Sequence, residues 1–117
     1  MTIPRPPKGC GPAGRRLWNA VQQDFDLGEH ERALLTALCR QADRLDQLEE
    51  LIANEGLIVT GHGTTKMHPA VIEARNTAIA VARIAAALRL PAGEEDENPA
   101  QRRAGVRGVY QIGGGAA

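Results

Sequence analysis

Serine is missing altogether from these 117 residues, so a serine nucleophile, and with it every Ser-His-Asp arrangement, is excluded. Aromatic residues are scarce, at 3% of the chain, with one Trp, one Tyr and one Phe. A core must then be built from Leu, Ile, Val and Ala, with Trp18 and Phe25 as the large anchors of an early element. Cysteine occurs only as Cys10 and Cys39, which form no ligand or redox motif, and a reducing cytoplasmic compartment is the default expectation. Long apolar runs are lacking too. Glu73, Arg75, Asn76 and Arg83 interrupt the one segment that approaches the roughly 18 apolar residues of a membrane span. The opening residues show no charged-then-apolar leader pattern. A soluble protein is expected.

What is present is one small domain's worth of chain, a size that buries a limited share of its surface and gains stability by association. The formal net charge is zero, but the charges are segregated. Residues 1–16 carry Arg5, Lys8, Arg15 and Arg16 and no acid, whereas Asp24 to Glu55 is acid-rich. The end repeats the contrast, with Glu94, Glu95, Asp96 and Glu97 followed by Arg102, Arg103 and Arg107. Such segregation suits either arms that meet an anionic partner or solvated tails.

The fold class expected is mainly α. Prolines and glycines in residues 1–12 deny regular backbone pairing, which predicts a disordered basic arm. Leu17, Trp18, Val21 and Phe25 recur at helical spacing, so a short amphipathic helix should occupy about 13–25. Asp26, with Glu29 three residues on, has the form of a capping box for a second, long helix that runs to about Glu55. Leu34, Leu35, Leu38, Ala42, Leu45, Leu48, Leu51 and Ile52 give that helix one buried stripe, with Arg40, Asp43, Asp46, Gln47 and Glu50 opposite. Gly56 fits a helix C-cap, and "LIVT", "GHGTT" and "KMH" read as a small β-hairpin or loop between the long helices. Pro69 suits the first turn of a third helix that ends before Pro91. Its wheel places Val71, Ala74, Ala78, Val81, Ala82, Ala85 and Leu88 on one face for packing against the second helix. Ile72, Ile79 and Ala86 form a further apolar line, available to the first helix or to another subunit. Trp18, Ile72, Ile79 and Ala86 are therefore the candidate subunit-interface residues. The predicted organisation is a helical oligomerisation domain over 13–90 between the arm and a disordered tail over 91–117.

Little catalytic chemistry is encoded. His30, His62 and His68 lack a compact ligand spacing, so no metal site is expected. "GHGTTK" has the wrong residue order for a phosphate-cradling loop. Asp43, Asp46, Glu49 and Glu50 form a carboxylate patch that reads as a solvated helix face and not as an acid/base pair. Neither an enzyme nor a cofactor is expected. The candidate DNA-binding residues are Arg5, Lys8, Arg15, Arg16, Lys66, Arg75 and Arg83, which can neutralise phosphate without reading sequence. A helix-turn-helix reading of the first two helices is disfavoured, because the exposed side of the second is acidic and would be repelled from a groove.

The order and spacing of "GRRLW", "EHERALL…ADRLD", "HPAVIEAR" and a basic "QRRAGVRGVY" tail, spread over about Gly11 to Tyr110, resemble the small terminase subunits of tailed bacteriophages. The resemblance is narrower still to the form found in phages and prophages of high-GC actinobacteria. It implies a non-enzymatic protein of the host bacterial cytoplasm that forms a homo-oligomeric ring, recognises viral double-stranded DNA and recruits or stimulates the large terminase subunit, an ATPase and nuclease. Arg102, Arg103, Arg107 and Tyr110 would then contact the large subunit. A dimeric DNA-binding transcriptional regulator is the alternative, and a structural interaction protein that binds no nucleic acid is a third. Solution mass and DNA binding separate the three.

Overall fold

A computed structural model gives the fold of this protein and describes residues 3–90. Helix α1 spans Pro12–Asp24, α2 spans Glu29–Glu55, strands β1 and β2 span Ile58–Gly61 and Thr64–Met67, and α3 spans Pro69–Ala87. Helices α2 and α3 form the long hairpin expected from the sequence, α1 packs on α2, and the strands form an antiparallel pair at the far end. At about 1.5 Å per residue, α2 is about 40 Å long and α3 about 28 Å.

The core lies at one end of this rod. Trp18, Val21 and Phe25 of α1, Leu27 of the connection, Leu35, Leu38 and Cys39 of α2 and Leu88 are buried together, with Val81, Ile84 and Ala85 of α3 packed against them. Farther along, Leu45, Leu48 and Ile52 of α2 are only half-buried, and Leu51 is exposed. One short helix covers half of a two-helix hairpin and no more.

The packed face of α3 differs from the wheel. Ala70, Ala74, Thr77, Val81, Ile84 and Leu88 face the hairpin seam or the core, whereas Ala78 and Ala82 are exposed. Steps of four and three residues in this set follow a 3.5-residue repeat, the period of helices that cross at a shallow angle. Ala74, Val81, Ala85 and Leu88 of the expected face are buried or packed on the core, and alanine on every side of α3 flattens the amphipathic signal enough to misplace Ala78 and Ala82.

The entry to α2 is also shifted. Its N-cap is Gly28, and Glu31 Oε1 accepts from the Gly28 N–H at 2.8 Å. Asp26 and Glu29 offered the same motif two residues earlier. Starting the helix there would draw Leu27 into the first turn, whereas in the extended connection Leu27 is 8% exposed within the core. Burial of one leucine outweighs a cap that either site could supply.

At the far end, β1 and β2 pair Ile58 with Met67, Val59 with Lys66, Thr60 with Thr65 and Gly61 with Thr64. The two-residue turn has positive φ at both His62 and Gly63, 51° and 75°, the handedness that matches strand twist. The Leu57 carbonyl accepts from the His68 N–H at 2.7 Å and closes the hairpin base. His68 then caps α3, its Nδ1 accepting from the Ala70 N–H at 3.0 Å while Nε2 meets Glu55 Oε1 at 2.7 Å. An accepting Nδ1 leaves the proton on Nε2, which donates to the carboxylate. One side chain thereby starts α3 and ties it to the last turn of α2.

At the other end α3 closes with the Arg89 N–H on the Ala86 carbonyl and the Leu90 N–H on the Ala85 carbonyl. This is a Schellman pattern, with Arg89 at φ 59° in the position glycine usually takes.

Candidate functional site

Helix α1 begins without a cap of its own. Gly11 stands at its N-cap, the first turn contains no acid, and its orphan N–H groups have to find an acceptor elsewhere. Asp43 of α2 supplies one. Its Oδ2 accepts from the Gly11 N–H at 2.6 Å and its Oδ1 from the Gly14 N–H at 2.7 Å, so both carboxylate oxygens are engaged. The approach needs a glycine, because a Cβ on Gly14 would lie 2.5 Å from Asp43 Oδ2 and 2.8 Å from both Cys10 Sγ and the Cys39 carbonyl. Asp43 is therefore half-buried and no part of a solvated acidic face, unlike the exposed Asp46, Glu49 and Glu50.

The arm before α1 contains no helix or strand over residues 3–11, yet it has definite contacts. Trp18 Nε1 donates to the Pro4 carbonyl at 2.8 Å, the Cys10 N–H to the Pro7 carbonyl at 3.2 Å, and Arg15 Nη1 to the Cys10 carbonyl at 2.9 Å. Cys10 is itself buried, so the arm ends as part of the core. Both cysteines are free, and both thiols are held in the neutral form. Burial, and then the Asp43 carboxylate, push Cys10 up; burial, with Cys10 and Asp43 beside it, pushes Cys39 up to about 12. A thiol so protonated is packing and not a nucleophile.

Around this junction the exposed charged residues are cationic. Arg5 and Lys8 lie on the arm, Arg15 and Arg16 on the first turns of α1, and Arg40 and Arg44 on α2 at positions three before and one after Asp43. Offsets of three and four residues put Arg40, Asp43 and Arg44 on one side of α2. Because Asp43 grips the start of α1, these arginines flank it. Sequence reasoning missed both, since they lie in an acid-rich stretch and only the tertiary contact shows that Asp43 is engaged elsewhere.

A family model described as phage terminase, small subunit, matches residues 15–101. The chain belongs to the phage terminase small-subunit family. No curated protein and no solved structure matches it. The family match takes in nearly all of α1, all of α2, the β-hairpin and α3.

In this small subunit the expected DNA-binding residues do not form one site. Arg5, Lys8, Arg15 and Arg16 gather at the junction of the arm and α1, but Lys66 is on β2 at the opposite end of the rod. From Asp43 to Glu55 the α2 axis alone runs about 18 Å. Arg75 and Arg83 are exposed on α3, eight positions apart. Of the expected interface residues, Trp18 is 4% exposed and committed to the subunit's own core, whereas Ile72, Ile79 and Ala86 are exposed on α3. Ile72 shares exposure with Leu57, Ile58 and Met67 around the hairpin end, and Ile79 is exposed two turns further along α3. The tail residues Arg102, Arg103, Arg107 and Tyr110 lie outside the described residues. Among the described residues no group of three or more His, Cys, Asp or Glu side chains converges as a metal site, and no helix is long and apolar enough to cross a membrane.

Proposed function

We propose that this chain is the non-enzymatic small subunit of a phage DNA-packaging motor, that it closes into a homo-oligomeric ring, and that it brings viral double-stranded DNA to the large terminase subunit. Family membership supports the packaging role. One structural observation supports assembly: Ile58 is 50% exposed, Met67 49%, Ile72 49% and Ile79 43%, on a subunit whose own α1 covers only the other end. A two-stranded hairpin is marginal in water by itself, and apolar side chains on it and on the adjacent helix suit a neighbour's surface. A heterologous contact between copies closes into a ring when its rotation permits.

The resemblance of its motifs to small subunits of actinobacterial phages favours a phage of such a host and a site of action in the bacterial cytoplasm. The tail, with Arg102, Arg103, Arg107 and Tyr110, is the segment assigned to the large subunit, where many copies around a ring raise the effective affinity of a modest contact. Deleting residues 99–117 should accordingly leave assembly intact and lower stimulation of the large subunit's ATPase.

Light scattering tests the central claim. A solution mass several times that of one chain supports the ring; a dimer would favour an operator-binding regulator instead, and a monomer would overturn assembly altogether.

A further inference from the structure

Helix α2 looks acidic in sequence, but on either side of the engaged Asp43 it exposes Arg40 and Arg44. Arg40 and Arg44 share a side with Asp43, whose two oxygens are taken by the Gly11 and Gly14 N–H groups. No other acid stands three or four residues from either arginine: those positions are Thr36, Ala37, Gln41, Gln47 and Leu48, or members of the Arg40–Asp43–Arg44 set itself. Arg15 Nη1 donates to the Cys10 carbonyl at 2.9 Å, and Arg40 lies one turn before Asp43, which holds the Gly11 and Gly14 N–H groups, so cations of α1 and α2 flank the same junction. Among the described residues none of Arg5, Lys8, Arg15, Arg16, Arg40 or Arg44 forms an ion pair, although all are exposed. The Pro4 and Cys10 contacts hold the arm against this same junction.

Resting on the terminase reading above, we infer that Arg40 and Arg44 of α2 complete a phosphate-binding face with Arg15, Arg16 and the arm, and that its ligand is the backbone of double-stranded DNA. Asp43 is one carboxylate among six cations, so positive charge remains in excess at this face, and a row of phosphates relieves it by releasing its own counterions. The face contains no exposed aromatic side chain on which unpaired bases could stack, since Trp18 and Phe25 are buried. Its contacts go to the backbone and not to base edges, so it grips duplex of any sequence and leaves discrimination to other residues. Helix α2 enters no groove in this arrangement. It lies along the duplex with its basic turns, while Asp46, Glu49 and Glu50 follow further along α2 toward the β-hairpin end.

The test is binding of the full chain to a mixed-sequence DNA duplex across a series of salt concentrations, for wild type, the double variant Arg40→Gln/Arg44→Gln and the double variant Arg40→Lys/Arg44→Lys. The glutamine variant should bind more weakly, with a salt slope lower by about 1 for each arginine that leaves a phosphate. The lysine variant should keep the wild-type slope, and both should retain wild-type helicity and solution mass. Equal affinity and slope for wild type and the glutamine variant would overturn the inference and leave the terminase reading standing, with DNA held by the arm or α3. A glutamine variant that keeps DNA but loses capture of the large terminase subunit would overturn it too, by assigning the face to an acidic protein surface. Loss by the lysine variant as complete as by glutamine would exclude a role resting on charge alone. A wild-type chain that binds no duplex at any salt concentration would remove DNA binding from the proposed function itself.

Discussion

Asp43 is the residue on which the start of α1 depends. Its carboxylate accepts two backbone N–H bonds at 2.6 and 2.7 Å across the α1–α2 contact. A hydrogen bond to a charged group contributes about 1.5–3 kcal/mol, so Asp43→Ala should lower unfolding stability by about 3 kcal/mol, allowing for partial rehydration of the freed N–H groups. Asp46→Ala, on an exposed position, should stay within about 0.5 kcal/mol of wild type. Equal denaturation midpoints for the two variants would show that the cap is not holding the junction. Cys39 gives this junction a signature in pH. Its thiol is pushed from the ordinary 9.0 up to about 12 by burial and by Cys10 and Asp43, so the folded state favours the neutral form. The sign follows from linkage: the contribution is complete below the unfolded value, declines as pH rises past 9, and is gone above about 12. Thermal stability of wild type should therefore fall more steeply between those limits than that of Cys39→Ala, and a parallel pair of curves would contradict the assignment.

At the scale of elements, the helices were legible wherever period and punctuation agreed. Leu17, Trp18, Val21 and Phe25 marked α1, the leucine stripe marked α2, and Gly56 and Pro69 bracketed the hairpin. Two things were not legible. The start of α2 depended on whether Leu27 was buried, a tertiary fact, and one edge of the facing side of α3, where Ala78 and Ala82 are exposed, was hidden by alanines that suit any side. The candidate site was half legible for the same reason: a run of cations without acids showed in residues 1–16, while Arg40 and Arg44 emerged only once Asp43 was seen to be engaged with α1. His68 was legible only as one of three histidines, yet it caps α3 and donates to Glu55. Its replacement separates the two roles. His68→Ala should cost about 1–2 kcal/mol by removing the cap, whereas His68→Asn, which can still accept from the Ala70 N–H, should recover most of that. Thermal melts of the two variants check this, and a pair that falls equally would place the effect in the Glu55 contact instead.

For the whole molecule the question is how a rod with its core at one end keeps the other end out of water. Trp18, Phe25 and Leu88 are buried at the α1 end, while Ile58, Met67, Ile72 and Ile79 are each 43% exposed or more. That asymmetry separates folding from assembly and makes the two testable apart. Ile79 contributes little to the subunit's own core, so Ile79→Asp should leave helical content and the α1 junction as they are. In a dry contact between copies, by contrast, the new carboxylate would be buried without a partner, at a cost of several kcal/mol for each interface. The contacts of the proposed ring would be equivalent, and one substitution would weaken every one of them. Light scattering of Ile79→Asp should therefore report a mass near that of a single chain, with a circular dichroism spectrum like wild type. Wild-type mass would show that this apolar line is not where subunits meet, and loss of helicity would show that the line supports the subunit fold instead.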